Sequence, residues 1–262
     1  MGITIAMISL FVLLPLITLV IYSTDLSIKE FADIVCSKRV LASFEVSILT
    51  ALIAAGINAV MGFIVAWVLV RYEFPGKKIV DGMIELPFAL PTAVAGMTLT
   101  SLLSDTGSIG GFFARFGIKI AYTRLGITIA LVFVGIPFVV RSVQPVLEKL
   151  DPVYEEAASM MGANDFEIFT KIILPEVLPA VFVGFGLAFG RGIGEYGSVV
   201  FIAGNQPYKT EIVPLLIMSK LESFDFTSAC AIALVLLTVS FFVLFLTNSI
   251  NNRAVRRRNG GR

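Results

Sequence analysis

Apolar residues run through this chain in long blocks, with few polar residues between them. A helix that crosses a bilayer needs about 20 consecutive, mostly apolar residues. Six stretches have that length, roughly 3–22, 46–70, 79–103, 125–147, 177–203 and 228–250. They predict an all-α membrane protein with six transmembrane helices, residues 1–262 forming a single membrane domain. The first stretch has no basic segment ahead of it and no small-residue cleavage site before Tyr22. It therefore reads as a span, not a cleaved leader.

Residues 151–175 break the pattern with a polar island, DPVYEEAASMMGANDFEIFTKIILP. Asp151 is placed to cap a helix, and Pro152 fits its first turn, where no N–H is needed. Val153, Ala157, Met160 and Met161 fall on one stripe, while Glu155 and Glu156 occupy the early turns that favour negative charge. Gly162 is placed to stop this helix in a left-handed conformation. Asn164 and Glu167 then form a capping box for a second helix, with Phe166, Phe169 and Ile173 as its apolar face and Pro175 as its expected end. A first helix of about ten residues, roughly 15 Å long, cannot cross a bilayer. Its small-residue stripe suits a groove on a partner. A helix lying on lipid headgroups would carry Lys and Arg on its polar face, and this one carries glutamates.

Composition narrows the classes. The chain is 57% hydrophobic and 15% charged, more apolar than a soluble domain can cover. It has no histidine and two cysteines, Cys36 and Cys230, so neither a histidine-based site nor a thiol framework is expected. Arg253, Arg256, Arg257, Arg258 and Arg262 put the C-terminus in the cytoplasm. Six spans then put the N-terminus, the 71–78 loop and the island there too. Gly192-x-Gly194-x-x-Gly197 matches a dinucleotide fingerprint, but it lies in an apolar span with no strand before it. The chain has no Walker A sequence, so any ATP that drives it binds another subunit. No nucleic-acid partner is expected; the lipid bilayer is.

Several residues inside the spans are candidates for a translocation pathway or gate. Pro87 and Pro91, followed by Thr92, weaken the third span locally, as a kink beside the pathway or as a bend packed on neighbours. Arg191 and Glu195 are four apart in the fifth span and can pair on one helix face. Arg191 could help pass an anion, but a self-neutralised pair that fixes packing or a gate is the favoured reading. Glu85 and Arg141 are further candidates, although Arg141 could simply snorkel to the interface. Gly186, Gly190, Gly194 and Ser198 form a small-residue stripe suited to close helix packing, within the chain or between subunits.

Glu156-Ala157-Ala158, Gly162 and Ile172-Ile173-Leu174-Pro175 match, in type and spacing, the EAA loop of ABC importer permeases (EAA-x3-G-x9-I-x-L-P). Arg71–Lys77, Leu86–Gly96, Ile136–Val146, Gly194–Gly197 and Phe201–Asn205 resemble sulfate/thiosulfate permeases of the CysT (CysU) type. The resemblance implies a type I, MetI-like permease fold and assigns Glu156, Ala157, Ala158, Met161, Gly162, Leu174 and Pro175 to docking on an ABC ATPase. It also implies a second permease of the CysW type, an ATPase dimer that binds the ATP and Mg, and an extracytoplasmic sulfate-binding protein. The chain itself would bind no cofactor and catalyse no reaction. The implied membrane is a bacterial plasma membrane or, alternatively, a plastid inner envelope. Molybdate or tungstate carried by the same machinery is the near alternative. A secondary anion transporter without an ATPase would leave the island unexplained.

Overall fold

Three helices carry the core of the computed structural model, which describes residues 2, 7 and 9–259. The chain enters through a π-helical turn, Ser9–Leu13, and continues as α1 (Leu14–Thr24), α2 (Ile28–Val35), α3 (Lys38–Arg71), α4 (Lys77–Ile84), α5 (Leu86–Ala89), α6 (Thr92–Leu103) and α7 (Gly110–Ala114). After these come α8 (Arg124–Lys149), α9 (Pro152–Met160), α10 (Asp165–Ile168), a second π turn (Phe169–Ile173), α11 (Leu174–Ile193), α12 (Gly197–Ile202), α13 (Val213–Glu222) and α14 (Phe226–Asn259). No strand occurs among the described residues.

Helices α3, α8 and α11 pack on one another in the centre. Small residues set their spacing. Ala51, Ala54, Ala55 and Ala66 of α3 are buried against Val139, Val140 and Val143 of α8 and Ala188 of α11. A Cβ at Gly62 would lie 2.8 Å from Val139 Cβ, and one at Gly184 would lie 2.7 Å from Val139 Cα. Both neighbours therefore approach α8 at Val139 as closely as backbones allow. Helix α14 packs on α11 and α1 on α14, while α6 packs on α12. Phe241, Phe242 and Phe245 of α14 face outward, 70%, 60% and 59% exposed, as lipid-facing residues do.

Among the described residues, four helical segments are long and apolar enough to cross a membrane: Lys38–Arg71, Arg124–Lys149, Asp165–Ile193 and Phe226–Leu246. The bent pair Ser9–Thr24 and Ile28–Val35, which turns by 107°, can count as a fifth. The predicted spans at 46–70, 125–147 and 228–250 lie inside single helices. The stretch at 79–103 does not form one helix. It breaks at Glu85, and again at Leu90, whose backbone is extended before Pro91, as the residue before a proline prefers. The stretch at 177–203 also divides, because α11 ends at Ile193. Part of 3–22 (residues 3–6 and 8) lies outside the described residues, as does Arg262.

Pro175 does not end the second helix of the island. The run Asp165–Ile193 is continuously helical, with Pro175 in the first turn of α11 directly after the π turn. The wider i→i+5 turn removes the clash and the lost hydrogen bond that a proline causes in a regular helix.

Candidate functional site

The island folds as two capped helical starts. Asp151 Oδ1 accepts from the Val153 amide at 3.0 Å, with Pro152 in the first turn of α9. At the other end Gly162 has φ +87°, its amide donates to Ser159 O at 2.9 Å, and the Ala163 amide donates to Ala158 O at 3.0 Å. That bond pair is a Schellman ending, which needs a left-handed residue at Gly162. The capping box then forms in both directions. The Glu167 amide donates to Asn164 Oδ1 at 3.0 Å, and the Asn164 amide donates to Glu167 Oε2 at 3.2 Å.

The predicted stripe points away from the protein. Val153 is 60% exposed, Met160 90% and Met161 83%, and Ala157 is also exposed. Contiguous exposed apolar side chains mark an interaction surface. Of the other predicted docking residues, Glu156, Gly162 and Pro175 are exposed, Leu174 is half-buried, and Ala158 turns inward to the core. Phe166 is 75% exposed, while Ile173 is buried.

The inner side of the island is clamped to α3. The Arg71 guanidinium donates to Glu155 Oε1 and lies 5.2 Å from the Trp67 ring centroid. Trp67 meets Phe169 edge-on at 5.8 Å, and Phe169 meets Phe63 at 6.1 Å. The Arg71–Glu155 pair spans 84 residues of sequence, so no local pattern could have announced it.

The broken third span is tied to α8. Arg141 donates to Asp81 Oδ1 at 2.6 Å, the Asp81 carbonyl at 3.1 Å and Gln144 Oε1 at 2.6 Å, and pairs with Glu85 at 2.8 Å. Two predicted residues, Arg141 and Glu85, thus come together. Asp81 was missed, although its place one helical turn before Glu85 was a usable signal. With two carboxylates on one guanidinium, this cluster offers no net positive charge to an anion. Pro87 is buried two residues after Glu85, and Phe88 meets Phe138 edge-on at 5.1 Å. An open cleft of about 590 Å³ beside the cluster is lined by Glu73, Lys77, Lys78, Asp81, Gln144 and Glu148 among others.

Arg191 and Glu195 form the expected ion pair, but not along one helix face. Helix α11 has already ended, and Glu195 sits in the link to α12. Its carboxylate is 1% exposed and also accepts from the Ser198 amide at 2.8 Å, at the positive end of α12. The pair therefore holds a helix break in place. Next to it α12 meets α6 backbone to backbone. A Cβ at Gly197 would lie 2.1 Å from Thr92 Oγ1, and one at Gly96 would lie 2.5 Å from Ser198 O. Thr92 thus meets the segment after Glu195, whereas Glu85 and Arg141 form a separate cluster. The small-residue stripe is likewise interrupted: Gly190 packs on Leu244, a Cβ on Gly194 would meet no neighbouring element within 4 Å, and Ser198 belongs to another helix.

At the bundle end opposite the island, Arg39 grips the buried Glu211 with two bonds of 2.8 and 2.6 Å. Arg124 donates to Glu45 at 3.0 Å and to the Lys209 carbonyl at 3.0 Å.

Comparison with known proteins gives one consistent result. The family model described as "Binding-protein-dependent transport system inner membrane component" matches residues 58–259. A protein of Salmonella typhimurium named "Sulfate transport system permease protein CysT" is 47% identical over 98% of this chain and 93% of its own length. The Synechocystis protein of the same name is 46% identical over 98% of this chain and 90% of its own length. A "Probable sulfate transport system permease protein cysT" of Chlorokybus atmophyticus is 48% identical over 92% of this chain and 84% of its own length. Among solved structures, a bacterial ABC transporter involved in import of the acidic polysaccharide alginate superposes with TM-score 0.79. It is 16% identical, over 95% of this chain and 92% of that one.

Proposed function

This chain belongs to the family of binding-protein-dependent transport system inner membrane components, and we propose that it is the membrane-spanning permease subunit of an ATP-driven sulfate importer. It is a multi-pass integral membrane protein and a transport component, not an enzyme. We extend the reading to thiosulfate as a second substrate and to partners of three kinds: a related CysW-type permease, an ABC ATPase dimer that holds ATP and Mg, and an extracytoplasmic sulfate-binding protein. In this reading the island and the C-terminus face the cytoplasm, and the Arg39–Glu211 end faces outward. The host membrane is a bacterial plasma membrane or a plastid inner envelope.

One observation carries the mechanism. The exposed stripe of α9 sits on a loop whose second half is the start of the continuous helix Asp165–Ile193. At 1.5 Å per residue those 29 residues make a rod about 43 Å long. Its far end carries Arg191 and reaches the Glu195 link. An ATPase that grips α9 therefore moves a rigid element that ends at a buried ion pair. Arg71 and the Trp67–Phe169 contact bring α3 along. Closure of the ATPase dimer on ATP would push α9 and its counterpart in the second permease together, rock α3 and α11, and open the outward side to the binding protein. Hydrolysis and phosphate release would return the bundle.

The charge pattern supports conduction without tight retention. Arg141 and Arg191 are each already paired with carboxylates, so neither would trap a dianion. Substrate choice then falls mainly to the binding protein.

The test is labelled sulfate uptake into vesicles that hold the chain with its partner subunits, with and without hydrolysable ATP. The reading predicts uptake that stops without hydrolysis and is competed by thiosulfate. Uptake indifferent to ATP would contradict it. Competition by molybdate but not by thiosulfate would transfer it to the molybdate class.

A further inference from the structure

Helix α1 packs on α14 with none of its own residues buried, and α2 bends away from it by 107° to pack on α14 as well. Between the three helices lies an open pocket of about 410 Å³, lined by the apolar side chains of Val20, Leu26, Ile28, Phe31 and Leu234. That is a volume at which small-molecule sites begin, about 300–1,000 Å³. Its depth in the membrane follows from the chain. Helix α2 leads directly into Lys38, the end of α3 opposite Arg71 and the island, and Leu234 lies about two turns into α14. Ile17 and Ile21 of α1 and Phe241 of α14 are exposed, as lipid-facing residues are. The pocket therefore sits where hydrocarbon gives way to headgroups, beside two helices that face lipid.

Its lining decides what can fill it. Two hydroxyls adjoin the pocket, and both are spent within α1: Ser23 Oγ donates to Leu19 O at 2.8 Å and Thr24 Oγ1 to Ile21 O at 2.7 Å. A buried water needs about two to four polar partners, and these side chains have none to spare. Ile28 nevertheless stands 91% exposed at the pocket. An aliphatic chain covers Ile28, Phe31 and Leu234 without leaving any polar group unpaired.

The turn between α1 and α2 sets the charge at the mouth. The Ser27 amide donates to Glu30 Oε2 at 2.8 Å, and the Glu30 amide donates to Ser27 Oγ at 3.2 Å. The bonds from Ser27 hold the Glu30 carboxyl below its ordinary range, so it stays ionised. Asp25, next to Thr24, is a second exposed carboxylate, with no cation against it among the described residues. Further along α2, Lys29 and Asp33 are four apart and offset each other in charge. The mouth is thus net negative, the opposite of the Lys- and Arg-rich surfaces that anionic lipids favour. It suits a headgroup that carries an ammonium.

We propose that this pocket seats one acyl chain of a phospholipid with an ammonium headgroup, of the phosphatidylethanolamine kind, with the amine over Asp25 and Glu30. The lipid completes the packing of α1 and α2 on α14. This inference needs only the bilayer, and it stands whatever the transported anion is.

The experiment reconstitutes the assembled transporter in vesicles of phosphatidylethanolamine and phosphatidylglycerol in equal parts. A trace of one lipid or the other carries a photoreactive diazirine on an acyl chain, and the adducts are mapped to residues by mass spectrometry. The phosphatidylethanolamine probe should label residues 20–31 and Leu234 several-fold more than lipid-facing Phe241, and several-fold more than the phosphatidylglycerol probe does. Leu234→Trp, which fills the pocket, should lower the labelling of residues 20–31 to the level at Phe241. Asp25→Asn with Glu30→Gln should abolish the preference between the probes while the adducts remain. Labelling of the wild-type pocket no stronger than at Phe241 would overturn the site, and equal labelling by the two probes would overturn the headgroup. A cysteine at Ile28 that cross-links efficiently to a second permease would put protein on the pocket in place of lipid and overturn it too.

Discussion

Arg71 in the last turn of α3 donates to Glu155 in the first turn of α9. Each charge sits where its own helix dipole favours it, a cation at a C-terminus and an anion at an N-terminus. The pair thus fastens α9 to a core span at a point that neither helix supplies alone, with Trp67 beneath the guanidinium. Charge-assisted hydrogen bonds of this kind contribute roughly 1.5–3 kcal/mol. Arg71→Ala should loosen α9, seen as faster amide exchange over 152–160, and lower uptake. Arg71→Glu combined with Glu155→Arg should recover only part of the loss, because both charges then oppose their dipoles. No effect of Arg71→Ala would show that the clamp plays no part, and full recovery in the double variant would show that the helix dipoles add nothing to it.

Gly162 is required by its backbone and not by space. A Cβ there would meet nothing within 4 Å, yet φ is +87°. A non-glycine residue pays about 1–2 kcal/mol in this conformation. Gly162→Asp should release or uncouple the ATPase while the spans still insert, and Gly162→Asn should be the mildest substitution. Normal ATPase co-purification and normal uptake in Gly162→Asp would count against the coupling role of the loop.

The contact of Gly197 with Thr92 makes the opposite prediction, governed by space. Gly197→Ala forces its methyl onto Thr92 Oγ1 and should destabilise the protein by about 1–3 kcal/mol, as overpacking does. Adding Thr92→Ala should restore much of the thermal stability, since it removes the nearest atom. A double variant no more stable than Gly197→Ala alone would place the strain elsewhere.

At the helix break, the two partners are not equivalent. Glu195 is buried and Arg191 is partly exposed. Arg191→Met strands a buried carboxylate, a loss of up to roughly 3–5 kcal/mol when one partner of a buried pair is removed. Glu195→Gln keeps an acceptor for the Ser198 amide and should cost less. Thermal unfolding in detergent would rank the two, and the reverse order would mean that Arg191 is the buried charge.

The island was the most legible part of the sequence, because its signals are local. Asp151, Pro152, Gly162 and the Asn164–Glu167 box each act within four residues. The long spans at 46–70, 125–147 and 228–250 were legible for the same reason, since apolar runs need no partner to be recognised. The failures lie where a local geometry has no composition of its own or where distant groups decide. Pro175 looked like a stop because the π turn that accommodates it has no composition of its own. The break after Ile193 was hidden in an apolar run, and only the Glu195 carboxylate on the Ser198 amide accounts for it. Arg71–Glu155 and Arg141–Asp81 pair across 84 and 60 residues, beyond any periodicity.

The claim on which the rest depends is that the exposed stripe of α9 grips an ATPase. A single cysteine at Met160, in a chain with Cys36 and Cys230 replaced by serine, can be cross-linked within the assembled transporter by a short bifunctional reagent. The account predicts efficient cross-linking to the ATPase subunit, and little from a cysteine placed at lipid-facing Phe241. A Met160 cysteine that reacts freely with solvent reagents and never captures the ATPase would contradict it.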